Sequence, residues 1–448
     1  MSQLETWDPK PNTDTGGPFR PISTSVPGIQ ISELLPHTAK QMHHLSLVRS
    51  INTKNQSHGP GAVQMQTGHN EMGAPHPHLG AVVAKALTPE KFALPGHILI
   101  RGGGSSRSGA AFLGPRYGSV VLEEGKAPQY SERPSALSLT SDERRQEFRR
   151  LANDRFADKR RTADTDAYTY SYDQAMQLMA QRDVFDVAKE SARDQERYGS
   201  HEFGKHCLLA RRLLEQGVPF VQVNHSNYDT HFENFDYHIE QLGEFDRPFA
   251  TLISDLAASG LLKDTLVVVM SEFGRTPKIN SRYGRDHWGT AWSVCLGGAG
   301  LQAARSIGKT NDNGTAVIDR EVDHGHLVPY VSAGGRHQRR PKRSPSPAES
   351  FRSPIRPRVR SRSCWRNGGQ SKRRRRQERG REEGRREETA REAASAAKAP
   401  AEAATKVRCE VAGCDRSDAR PHGGGVEIYA SADGVPLLSG RQVRVRRH

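Results

Sequence analysis

Cysteine is scarce: five residues in 448, at positions 207, 295, 364, 409 and 414. So few and so scattered, they cannot staple a disulfide scaffold. Cys409 and Cys414 have four residues between them, but no second pair follows, so the paired spacing of a zinc ribbon is missing. No run of about 18 apolar residues occurs, which leaves no transmembrane helix. No basic stretch followed by an apolar one opens the chain, so no signal peptide is visible. Hydrophobic residues make up 34% and aromatics 6%, below the roughly 45–50% of a typical globular domain counted with glycine. The 42 glycines close most of that gap, so most of the chain, though not all of it, can bury a core.

Charge is unevenly placed. Residues 332–448 hold 30 Lys and Arg against 13 Asp and Glu, whereas the preceding 331 residues hold 36 against 38. The formal net charge of +15 therefore belongs to the C-terminal quarter and says nothing about the partners of the main body. Residues 336–380 are dominated by Arg, Pro and Ser, and little there can form a core. The sequence thus divides into an α/β domain over 1–331 and a low-complexity basic tail over 332–448, predicted to be disordered.

Within the main body, Leu45 to Ser50 reads as a strand, and residues 52–80, rich in Gly and His without periodicity, as a site loop. Ser32 to His44 reads as a short helix, Val82 to Leu87 as another, and Gly96 to Ile100 as a strand. Residues 102–106 look phosphate-friendly but lack the Lys-Ser/Thr of a P-loop. Residues 141–197 are charged and helix-forming. Phe203, Cys207, Leu208, Leu213 and Leu214 recur at helical spacing, Gly217 stops that helix, and Val218 to Val223 is a strand. Leu242 to Leu256, Gly260 and Leu266 to Met270 repeat the pattern. Helix–strand alternation with β-branched runs predicts a mainly parallel sheet covered by helices.

In such sheets ligands bind beyond the carboxyl ends of the strands. The two clearest strand ends run into Tyr228-Asp229-Thr230-His231 and Ser271-Glu272-Phe273-Gly274-Arg275, and Arg285-Asp286-His287 follows shortly after. Asp229, His231, Glu272, Asp286 and His287 supply three carboxylates and two imidazoles on loops. That mixture suits Zn²⁺ or a harder divalent ion such as Ca²⁺, Mg²⁺ or Mn²⁺. Two such ions a few ångströms apart polarise a phosphoryl or sulfuryl oxygen. Arg275 is the candidate grip for an anionic substrate, with an ordinary ion pair as the alternative.

Five motifs fall in order: Leu4-Glu5-Thr6-Trp7-Asp8-Pro9, Pro27-Gly28-Ile29-Gln30-Ile31-Ser32-Glu33-Leu34-Leu35-Pro36, Tyr228-Asp229-Thr230-His231, Ser271-Glu272-Phe273-Gly274-Arg275-Thr276-Pro277 and Gly284-Arg285-Asp286-His287-Trp288. Together they resemble the bacterial family called domain of unknown function 1501 over roughly residues 1–327. That family is similar in fold to the alkaline phosphatase/sulfatase superfamily. The resemblance implies a large, mainly parallel sheet between helical layers, two metal ions at the strand ends, and an exported protein. It places Glu5 where the superfamily has its first metal-binding Asp, and likens Asp229 and His231 to the Asp/His ligand pair. Glu272 matches the acidic ligand after the core strand and His287 the late His ligand, with Asp286 beside it. The stretch Ser57 to Gly68 is similar to the sulfatase loop ending in Thr-Gly, which puts His58 at the nucleophile position with Ser57 adjacent. No Cys stands there, so formylglycine chemistry is excluded. A His58 nucleophile, a Ser57 nucleophile or a water activated by metal stay open, as does a role for His58 in hydrogen bonding or metal binding.

The resemblance implies a metal-dependent hydrolase of phosphate or sulfate esters. One alternative is a non-catalytic binding protein on the same fold. Another is nucleic-acid binding by the Arg-rich tail through phosphates. The superfamily's first strand and its Gly-rich turn find no counterpart ahead of Glu5, and similarity fades near Leu327. A truncated start and a change of reading frame near residue 328 are therefore expected, against the alternative of a genuine basic tail.

Overall fold

The computed structural model describes residues 1–70, 76–101, 109–128, 131–158 and 163–327, together with the backbone of 426–432; the side chains of 163–168 and of 426–432 are outside that description. The glycine run at 102–106 and the Arg-rich stretch 336–380 lie outside the described residues.

The centre is an eight-stranded sheet. In chain order its strands are β1 (Leu45–Ile51), β2 (His97–Arg101), β3 (Val120–Glu123), β4 (Phe220–His225), β5 (Thr265–Met270), β6 (Trp292–Gly298), β7 (Arg305–Ile307) and β8 (Val426–Ala432). Their order across the sheet is β7-β1-β6-β5-β8-β4-β2-β3. The pairs β7·β1, β4·β2 and β2·β3 are parallel, whereas β6 and β8 run antiparallel to both of their neighbours. The sheet is therefore mixed. All other strands share one direction, so the predicted parallel set is present with two reversed strands inserted.

Strand side chains alternate between faces, and the core divides accordingly. Val267 and Val269 of β5 join a cluster with Cys207, Leu208, Leu213 and Leu214 of the helix Glu202–Glu215 and with Leu242, Phe245, Phe249 and Leu252 of the helix Asn234–Ala258. Leu266, Val268 and Met270 join a second cluster, with Met65 of the helix His58–Thr67 and with Leu79 and Val83 of the helix Leu79–Leu87. Helices thus cover both faces, as the sequence predicts for strands apolar throughout. The charged stretch forms the helices Leu139–Ala157 and Ala163–Ala180, and the first of these is largely exposed.

Three predictions need correction. The short helix read over Ser32 to His44 does not begin at Ser32, which ends the short strand Gln30–Ser32; only Pro36–Lys40 is α-helical. Proline at position 36 suits the first helical turn, which sets the boundary. The supposed site loop 52–80 contains the ten-residue helix His58–Thr67, closed by Gly68 in the left-handed region (φ 74°). Its two glycines and Pro60 lie in the first turns, where they hide the helix from propensity but do not prevent it. Finally, residues 426–432, assigned to the tail, fill the slot between β4 and β5, with Ile428 opposite both Val223 and Val269. A β-branched, alternating heptad suffices for that placement once two buried strands offer their edges.

Candidate metal centre

β1, β4 and β5 point the same way and end at Ile51, His225 and Met270, and antiparallel β6 begins at the same edge, with Trp292 opposite Ile51. The loops after β1, β4 and β5 and the segment ahead of β6 therefore converge. They carry His58, Asp229 and His231, Glu272 and Arg275, and Asp286 and His287.

Three donor atoms form a near-equilateral triangle. Asp229 Oδ1 lies 3.0 Å from His287 Nε2 and 3.2 Å from His231 Nε2, and the two Nε2 atoms are 3.0 Å apart. The opposite ring nitrogens identify the tautomers. His287 Nδ1 sits 2.8 Å from the Gln56 carbonyl, which only accepts, so Nδ1 carries hydrogen. His231 Nδ1 sits 2.7 Å from Asp286 Oδ1 and donates to that carboxylate. In the neutral imidazoles both Nε2 atoms are then bare lone pairs facing a carboxylate oxygen. Three such donors that close, with Arg275 also bonded to the oxygen, can share a proton or a metal ion between them. Donors bonded at 2.0–2.2 Å to one ion stand about 3.0–3.4 Å apart in octahedral or tetrahedral geometry. The residues present fit a metal.

His58 completes the cluster. Its Nε2 lies 3.1 Å from Asp229 Oδ2 and its Nδ1 bonds Glu272 Oε1. His58, Asp229 and His287 also form a compact potential ligand group. With a carboxylate at each ring nitrogen, His58 is an imidazolium. Burial pushes its pKa down, but the bonds to Asp229 and Glu272 outweigh that and raise it to about 9. Burial likewise works to raise the Asp229 carboxyl, yet the facing His287 and His58 rings, with the Arg275 charge, hold it far below the usual carboxylate range. The helix His58–Thr67 is pressed onto the Ser271–Arg275 loop at Gly61, where an added Cβ would stand 3.2 Å from the Phe273 ring, and this sets His58 against Glu272.

The other candidates have different partners. Glu5 is fully buried and bonds Arg285, at 2.7 Å to Nη2 and 3.2 Å to Nε, so it stands outside the triangle. Asp286 supports His231 from behind. Arg275, only 1% exposed, bonds Asp229 Oδ1, and its Nη1 reaches the Arg285 carbonyl at 3.3 Å. Turned inward, it offers no grip to an anion from solvent. Ser57 is the exposed N-cap of the helix His58–Thr67, and among the described residues no imidazole bonds its hydroxyl. Sequence reasoning misses Gln56, whose part is played by a backbone carbonyl, and Gln3, whose amide exchanges hydrogen bonds of 2.8 and 3.0 Å with the Arg275 backbone.

This arrangement rests on motifs scattered from residue 4 to residue 288, and the family described as protein of unknown function (DUF1501) matches residues 1–331. The chain belongs to the DUF1501 family. No curated protein and no solved structure matches it. The DUF1501 match thus covers every residue of the cluster but attaches no activity to it. Among the described residues of this DUF1501 chain no helix is long and apolar enough to cross a membrane.

Proposed function

We propose that this DUF1501 protein is a metal-dependent hydrolase of the sulfatase/alkaline phosphatase type, acting on phosphate or sulfate esters. The observation that carries the proposal is the triangle of Asp229 Oδ1, His231 Nε2 and His287 Nε2, with both imidazole tautomers fixed from behind. Asp229, His231 and His287 would hold the ion, which supplies Lewis-acid polarisation of a phosphoryl or sulfuryl oxygen. His58 and His231 are each about one-third exposed, so one side of the cluster faces solvent. With both ring nitrogens held by carboxylates, His58 keeps its protons at Nδ1 and Nε2 and is not the nucleophile.

A second reading has its own support. Ser57 lacks an adjacent base and His58 lacks a free nitrogen, which favours a metal-bearing binding protein without turnover. Metal analysis of purified protein, together with turnover of aryl phosphate and aryl sulfate, separates the readings. Bound metal with turnover supports the hydrolase; bound metal without turnover supports the binding protein. A folded sample that takes up no metal defeats both.

A further inference from the structure

Superfamily resemblance implies two metal ions, and six residues are candidates to hold them. The structure leaves room for fewer. Among the candidate residues, each carboxylate outside the triangle already has a cation or imidazole on one of its oxygens. Glu5 is paired with Arg285, and both side chains are completely buried. Arg285 is fixed further by the Thr15 carbonyl at 2.8 Å and the Thr276 carbonyl at 3.1 Å. Glu272 is occupied by His58 Nδ1, and Asp286 by His231 Nδ1. Asp229 also carries Arg275, but its Oδ1 still faces two imidazole nitrogens, at 3.0 and 3.2 Å, as no other candidate carboxylate does. A guanidinium does not deprotonate to make way for a metal. Displacing Arg285 from Glu5 would leave a buried charge unpaired, which is strongly unfavourable.

From these partners we infer that the chain binds one divalent ion, not two, and that Arg275 and Arg285 supply the positive charge a second ion would bring. The single site is Asp229, His231 and His287. Two imidazoles among three donors select a zinc-class transition ion over Ca²⁺ or Mg²⁺, which take all-oxygen shells. This inference rests on the proposed metal function, and one measurement tells the two apart. The full chain, stripped with chelator, is titrated with Co²⁺ and followed by visible absorption, and zinc content after dialysis is determined by mass spectrometry. The expected result is an endpoint at one equivalent, abolished in His287→Ala. No uptake at all would overturn the metal function itself. Two tight equivalents, both lost in His287→Ala, would overturn the single-ion inference while leaving the function standing. As a second check, Glu5→Gln is expected to keep one equivalent; should circular dichroism show that it does not fold, Glu272→Gln is expected to do the same. Losing the ion in a folded Glu5→Gln or Glu272→Gln protein would place that carboxylate on the metal and overturn the assignment.

Discussion

At the scale of single residues, ligand chemistry depends on the side chains behind the ligands. Asp286 accepts from His231 Nδ1 and is itself pinned, its N–H donating to Thr276 Oγ1 at 2.9 Å. Removing such a support typically costs 10–100-fold in metal affinity. Asp286→Ala is accordingly expected to weaken zinc binding by about 10–100-fold in a chelator competition, with Asp286→Asn, which still accepts at Oδ1, losing less. The histidines also set the pH response of stability. His58 has its folded pKa raised to about 9 from an ordinary 6.5, so its contribution is complete below pH 6.5 and disappears as pH rises through 9. His97 and His238 are pushed by burial down to about 3 and about 4, so the folded state resists protonation and loses stability as pH falls from 6.5 through those values. Urea unfolding in the presence of chelator should therefore show a maximum near pH 6.5, and His58→Asn should flatten the alkaline limb only. An unchanged alkaline limb in that variant would contradict the imidazolium assignment. The residue types of the centre were legible because strand ends expose Asp, Glu and His. Their division into proposed ligand, support and counter-ion was not, since Glu5 and Asp286 read alike until Arg285 and His231 are placed beside them.

Elements place those residues. The loop carrying Arg285, Asp286 and His287 lies directly on the backbone of residues 230–232. An added Cβ at Gly284 would stand 2.0 Å from the His231 carbonyl oxygen and 2.4 Å from the Phe232 nitrogen. Both obstacles are backbone, so neither can swing aside. Gly284→Ala is expected to push the Asp286–His287 segment off His231, loosening metal binding while far-ultraviolet circular dichroism stays native; wild-type affinity in that variant would refute the close approach. The helix Glu202–Glu215 and the strands β4 and β5 follow from periodicity, because their apolar positions repeat at 3.6 or fill every position of a doubly covered strand. The helix His58–Thr67 escapes that test. Its stability comes from seating Met65 in the core and Gly61 against Phe273, not from its Gly- and Pro-containing first turns.

At the scale of the molecule, the sheet holds the edge to which all site loops are tied. Between β4 and β5 that sheet is bridged by β8, whose Ile428 pairs with Val223 on one side and Val269 on the other. Proline within a central strand removes a ladder hydrogen bond and is confined in nature to edges and bulges. Ile428→Pro should therefore lower the melting temperature of the whole domain and release the metal with it; an unaltered melting curve would show that the slot does not depend on this strand. By itself the sequence determined the α/β class, the helices and strands of strong period, and the stretches bearing the carboxylates and imidazoles, because these depend on neighbours within about ten residues. Only the tertiary structure decided which nitrogens face one another, which carboxylates are neutralised by buried arginines, and which strand fills the middle of the sheet. Those outcomes depend on groups up to 280 positions apart, as with Glu5 and Arg285, and no local pattern encodes a distance that chain folding alone sets.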